Sequence, residues 1–144
     1  MTTESHYRAL EKMYLAAPIN KIFLPKIQVA EGEIEIEIDV SQDHFHSAGA
    51  LHGSVYFKML DDAAFFAANS YSTDVFVLTT SFTTYLTRPV SSGVIKSVGR
   101  VVNMNRTQWI TEAVAYNDGK EIARGSGVFV KGKFPLRDAL GYEL

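Results

Sequence analysis

Two adjacent carboxylates, Asp61 and Asp62, sit in the middle of the most apolar stretch of the chain, Val55-Tyr56-Phe57-Lys58-Met59-Leu60-Asp61-Asp62-Ala63-Ala64-Phe65-Phe66-Ala67-Ala68. The stretch after His52 reads as a helix buried on most sides, and burying a carboxylate is costly unless it is paired or neutralised. A helical wheel, stepping about 100° per residue, separates the two. Asp62 shares its arc with Lys58, Asn69 and Ser54, the helix's one polar stripe, and is expected to be solvated or loosely paired with Lys58. Asp61 has Phe57 and Phe65 one turn away on either side, with Ala64 and Ala68 beside it. Apolar surroundings raise a carboxyl pKa and suit it to general-base or nucleophilic work. The same placement also fits a carboxylate that only hydrogen-bonds a neighbouring backbone or a partner chain.

The elements that must position these groups are legible in outline. Tyr7, Leu10, Met13 and Tyr14 recur at helical spacing, so residues 3–16 form an amphipathic helix, which Pro18 stops. Residues 20–29 read as irregular or a weak strand around Pro25. Glu31-Gly32 turns the chain into the strict alternation Glu33-Ile34-Glu35-Ile36-Glu37-Ile38-Asp39-Val40, the clearest strand of all. Residues 41–51 form a loop that leads through His52-Gly53 into the central helix. Beyond Ser70 a turn introduces only strands, at 75–86, 93–104, 107–116 and 121–131. A tight turn spans 103–106, and Asn117-Asp118-Gly119-Lys120 is a hairpin signal. The tail from Gly132 reads as loosely attached. The result is an α+β layout, an antiparallel sheet packed on one dominant helix. Such a two-layer unit leaves a sheet face or edge uncovered, for which a homodimer or higher oligomer is the expected remedy.

Composition narrows the function classes. At 144 residues the chain reads as a single domain, 1–144, with enough length for a core. A net charge of −2 offers no footprint for nucleic acid or an anionic membrane. The absence of cysteine removes thiol nucleophiles, disulfides and zinc–thiolate sites together, and no metal site is expected. Neither a signal peptide nor a membrane span is apparent, which predicts a cytoplasmic location. Three of the four histidines, His44, His46 and His52, fall within nine residues.

From about residue 30 to 131 the chain resembles hotdog-fold acyl-CoA thioesterases of the PaaI-like kind, within the 4-hydroxybenzoyl-CoA thioesterase superfamily. The family pattern is a loop ending Leu-His-Gly-Gly, then a helix with Asp nine residues after the His; Leu51-His52-Gly53-Ser54 followed by Asp61 keeps that interval. The family also has a hydroxyl residue ten positions before a strand-ending Pro, as Thr79 stands before Pro89, and a Gly-Arg turn, here Asn105-Arg106. Ser54 replaces the second Gly, His46 stands where the family often has Asn, and Asn105 replaces the turn Gly. An imidazole at position 46 is larger than a carboxamide and alters how a thioester carbonyl or attacking water is held.

The resemblance implies a sheet wrapped around one long helix, and an acyl-CoA substrate with no other cofactor, CoA entering only as part of that substrate. It implies a homodimer or a dimer-of-dimers tetramer with sites at the subunit interface. The spacing points the same way: nine helical residues rise about 13.5 Å and turn about 900°, which sets the helix start and Asp61 apart. Thioester hydrolysis needs a polarised carbonyl and an activated water. The N–H groups of Gly53 and Ser54, at the positive helix end, are the expected oxyanion donors. Asp61 of the partner chain is the expected general base, or the nucleophile through a mixed anhydride. Thr79 is expected either to orient the water or to be an ordinary sheet threonine. His52 is expected to position, His44 to be structural or solvated, and His46 either to polarise the carbonyl or to be an exposed loop residue. Arg106 and Arg88 are the candidates for the CoA phosphates. The Tyr56, Phe57, Phe65 and Phe66 cluster is expected to be mostly core, with part lining an acyl tunnel. Aryl-acetyl, benzoyl-type and medium-chain acyl groups all suit such a pocket. Two rival readings are a non-catalytic acyl-CoA-binding module and, less well matched because the helix lacks a Glu, a dehydratase or hydratase.

Overall fold

The computed structural model describes all 144 residues. Helix α1 (Thr3–Ala16) begins with a reciprocal cap: Thr2 Oγ1 accepts from the Ser5 N–H, and Ser5 Oγ accepts from the Thr2 N–H, both at 3.0 Å. A one-turn helix α2 (Asn20–Phe23) and strand β1 (Lys26–Ala30) follow, then β2 (Glu33–Asp39). The central helix α3 is Gly53–Asn69, and the remaining strands are β3 (Val75–Leu86), β4 (Val94–Met104), β5 (Gln108–Asn117) and β6 (Lys120–Pro135). All strands pair antiparallel in one sheet of order β1-β2-β4-β5-β6-β3.

The sheet wraps α3 closely because small residues line the contact. Ala63, Ala64, Ala67 and Ala68 on the helix and Ala113 and Ala115 on β5 are all essentially inaccessible. A Cβ at Gly99 of β4 would collide with the backbone of Ala63 and Ala64. Around this seam Leu60, Met59, Ile34, Ile36, Ile95, Ile122 and Phe129 complete the core. The β5–β6 hairpin turns as its sequence requires, with φ of 51° at Asp118 and 80° at Gly119, the two positive values of a type I′ turn.

Three expectations are corrected. Residues 20–29 do contain a strand, one of their two readings, and this β1 pairs as a sixth strand of the sheet, but the stretch before it is the helix α2, and a four-residue helix is too short for periodicity to resolve. The tail is not loose. Strand β6 runs on to Pro135, Leu136 is buried and its N–H donates to Asp74 O at 3.0 Å. Further on, the buried Tyr142 hydroxyl donates to His6 Nδ1 at 2.6 Å, while His6 Nε2 donates to Asn69 O at 3.0 Å. Burial holds the His6 pKa below its usual value, against the carbonyl bond that raises it. Finally, Asn69 belongs to no solvated stripe. It is fully buried, donating to Ser72 O and Val75 O and accepting from the Val77 N–H, which pins the α3–β3 turn.

Candidate active site

Asp61 is half-buried on α3, and Thr79 Oγ1 on β3 donates to its Oδ1 at 3.1 Å. Burial pushes the Asp61 carboxyl up to about 6; the Asp62 charge adds to the rise, while the Thr79 hydrogen bond and Lys58 oppose it. The pair faces a cavity of about 390 Å³ walled by aromatic and aliphatic side chains, among them Tyr14, Phe65, Phe66, Phe76 and Leu78. The Phe65 ring lies 4.9 Å from Phe76 and 5.1 Å from Phe66. Low polarity around an ionisable group is what moves its pKa toward neutrality.

Asp62 keeps the partner expected of it, Lys58, but the pair is neither loose nor solvated: the two side chains are only 22% and 12% exposed. The Tyr14 hydroxyl donates to Asp62 Oδ2 at 2.7 Å, and Lys58 Nζ also donates to Asn20 Oδ1 at 2.8 Å. Burial and the neighbouring Asp62 charge push the Tyr14 hydroxyl well up, so it stays protonated and serves as a donor. The adjacent carboxylates thus divide the work. Asp62 is neutralised and immobile, whereas Asp61 has one hydroxyl partner and a carboxylate oxygen to spare.

At the other end of α3 the groups assemble differently. His52 is the N-cap, its Nδ1 accepting from the Ser54 N–H at 3.0 Å and lying 2.8 Å from Ser54 Oγ. With Nδ1 accepting, Nε2 carries the proton. The Ser54 N–H is therefore engaged within the chain, leaving the Gly53 N–H as the one at the helix start with no intrahelical acceptor. Gly53 lines a second cavity of about 320 Å³ together with His46, Tyr56, Leu86 and Arg88. His46 Nδ1 accepts from the Ala48 N–H at 3.1 Å, which ties the loop to its own ring and leaves Nε2 as a donor. His44 stacks on Phe23 at 4.6 Å, and its buried Nδ1 has no partner. Arg106 is exposed in the β4–β5 turn and lines neither cavity. That turn is held without left-handed backbone: Asn105 Oδ1 accepts from the N–H groups of Thr107 and Gln108.

The chain therefore brings Asp61 to Thr79 and, separately, Gly53 to His46 and Arg88. Gly53 and Asp61 are eight residues apart, about 12 Å along the axis, so the rise more than the rotation keeps them from one carbonyl. Sequence reading missed the contributions of Tyr14 and Asn20 to the Asp61 cavity. Helical spacing placed Tyr14 on a buried face but could not say that α3 would meet it.

A sequence profile of the thioesterase superfamily matches residues 48–123, just over half of the chain, spanning the helix start, Asp61, Thr79 and the hairpin. Among solved structures, the chain is similar to the E. coli PaaI protein from the phenylacetic acid degradation operon, with TM-score 0.83 and 17% identity over 94% of this chain and 99% of that one. It is also similar to a thioesterase family protein from Silicibacter pomeroyi, with TM-score 0.76 and 24% identity over 86% and 99%. PaaI from Thermus thermophilus, as a single-residue mutant, gives TM-score 0.73 and 22% identity over 80% and 99%. No curated protein matches the chain significantly. At such identities the structural likeness is one of fold, and the sheet wrapped around α3 is the hotdog fold.

Proposed function

The chain belongs to the thioesterase superfamily, and from that premise we propose that it hydrolyses an acyl-CoA thioester at sites shared between two copies of itself. The observation that carries the reading is Asp61, half-buried among aromatic rings, oriented by Thr79 and raised to about 6. A base with that pKa is ionised at neutral pH yet basic enough to take a proton from water.

In the dimer, Gly53 of one copy faces Asp61 of the other. The thioester carbonyl accepts from the Gly53 N–H, with the positive end of α3 favouring the developing oxyanion. His46, whose Nε2 proton is free, lies on the same cavity and adds a second donor. The partner's Asp61 takes a proton from water as the water oxygen bonds to the carbonyl carbon. Thr79, by donating to Oδ1, leaves the other carboxylate oxygen to receive that proton. Collapse of the tetrahedral intermediate breaks the C–S bond, and Asp61 returns the proton to the departing CoA thiolate. His52 acts by capping the helix. Arg88, at the rim of the Gly53 cavity, and Arg106 are the phosphate partners.

Two features support the shared site. Phe57, one turn from Asp61 on α3, is 43% exposed although it packs edge-on against Phe82 at 5.7 Å. The adjoining edge strand β3 exposes Leu78, Tyr85 and Leu86 by about half. The deciding measurement is free-thiol release from phenylacetyl-, hydroxybenzoyl-, hexanoyl- and palmitoyl-CoA by wild type and Asp61→Asn. We expect turnover that falls by about 10² or more in the variant. Binding of acyl-CoA without thiol release from any of the four would replace hydrolysis with a sensing role.

A further inference from the structure

The wall of the Asp61 cavity divides into two parts by its hydrogen bonding. On one side stand Asp61 and Thr79, joined to each other. On the other stand Ala17, Ile19 and Asn20, from the connection between α1 and β1. That connection is a short strap over residues 18–25, bracketed by Pro18 and Pro25, with α2 between them and a left-handed Leu24 at φ 52° ending it.

The strap is pinned where it crosses the cavity. Lys58 Nζ on α3 donates to Asn20 Oδ1 at 2.8 Å and to the Tyr14 hydroxyl at 3.2 Å, and it lies 5.1 Å from the centre of the Phe23 ring. Asn20 Nδ2 in turn donates to Tyr14 O at 2.7 Å, and Asp62 neutralises the ammonium. All three Lys58 protons are committed to groups of the chain itself. Lys58 therefore holds no donor in reserve for a ligand's charged or polar end. A buried ion pair is a weak source of stability but fixes a conformation well, because moving either partner leaves an unpaired charge.

We propose that this strap is the length gauge of the enzyme: it ends the acyl cavity at Ile19 and limits the substrate to compact acyl groups with an apolar end. The proposal rests on the thioesterase reading. A cavity of about 390 Å³ takes an aromatic ring or a medium chain, and a longer chain meets Ile19 and a strap that cannot yield without breaking the Lys58 pin. Ile19 is 51% exposed, so its side chain can be changed without disturbing the core.

The test uses the full-length protein and straight-chain acyl-CoAs from acetyl to palmitoyl. In wild type, kcat/KM rises by about fourfold per methylene while each is buried, then stops rising at one chain length. Ile19→Ala moves that break to longer chains, by at most the ~3 carbons it removes, and Ile19→Trp moves it to shorter ones. In parallel, calorimetry of the straight-chain carboxylate products reads the same break in Kd without any need for turnover. A break that stays put in both variants, or a wild-type series that climbs unbroken to palmitoyl, overturns the gauge and leaves the hydrolase reading standing. A break in carboxylate binding that moves with Ile19, without thiol release from any thioester, keeps the gauge and removes the hydrolase. Failure of both readouts removes both.

Discussion

The two edges of the sheet are finished in opposite ways. At β1 the backbone of Val29 is sealed by side chains of α1: its N–H donates to Glu11 Oε2 at 2.8 Å, and its carbonyl accepts from Arg8 Nη2 at 2.7 Å. Arg8 and Glu11 pair with each other at 2.9 Å, so one ion pair supplies the donor and acceptor that a neighbouring strand would have supplied. At β3, twelve residues long, no helix intervenes, and large apolar side chains stand half in solvent. Open edges invite association, and proteins normally blunt them. A chain that blunts one edge with a dedicated pair and leaves the other open beside Asp61 and Thr79 offers that side to the second copy of the proposed shared site. Structural polarity therefore coincides with chemical polarity: the closed edge carries stability, the open one the proposed site.

The sharpest way to test this contrast is to place the two halves of the site on different chains. Gly53→Pro removes the proposed oxyanion donor at a position where proline suits the helix start, and His52 already has the extended backbone (ψ 142°) that a following proline requires. Alone, it should cost about 10² to 10³ in kcat. Mixed equally with Asp61→Asn after joint refolding, it should recover about a quarter of wild-type turnover, since half the dimers then hold one intact site. No recovery would mean that both groups act within one chain.

Next in size is Phe57→Glu. A charge on the exposed ring position beside the open edge should give monomers by light scattering, with turnover falling about as far as in Asp61→Asn. Monomers that keep full turnover would break the link between edge and site. The pH dependence is subtler. The wild-type kcat/KM profile should have an acid limb with an apparent pKa near 6, because Asp61 works ionised. Its stability contribution carries the opposite sign: the folded carboxyl sits above its unfolded value near 3.9, so the folded state binds the proton more tightly and loses stability as pH rises from about 4 to 6. The Tm of Asp61→Asn relative to wild type should therefore climb through that window, and a flat difference would argue against the raised pKa. The smallest effect belongs to the closed edge. Glu11→Ala leaves the Val29 N–H without its partner and should cost about 1–2 kcal/mol in denaturant unfolding. Thiol release should hold within about twofold; a large loss of activity would show that the closed edge also serves the site.

Much of the outline was legible because its signals are local. The Ile/Glu alternation of β2, the apolar run of α3 and the Asn-Asp-Gly turn each state their conformation within a few residues. Asp61 was legible for the same reason, since Phe57 and Phe65 flank it on its own helix. The N-terminal strap and the C-terminal tail were misread because their anchors lie far off in sequence. Tyr142 is fixed by His6, which is itself held by Asn69, and Asn20 by Lys58. The pairing of Asp62 with Lys58 was legible from the wheel, but its burial was not, since only the packing of α1 against α3 took both out of water.

The sequence by itself determined the α+β class, the central helix, the unusual setting of Asp61 and the interval from His52 to Asp61, because periodicity and helical spacing act over single turns. The tertiary structure decided which strand would be the open edge, that the Asp62–Lys58 pair would be spent on pinning a strap, and that Gly53 and Asp61 would line separate cavities. Those outcomes depend on which surfaces meet after the chain closes on itself. A buried charge or an unpaired strand acquires its partner only then.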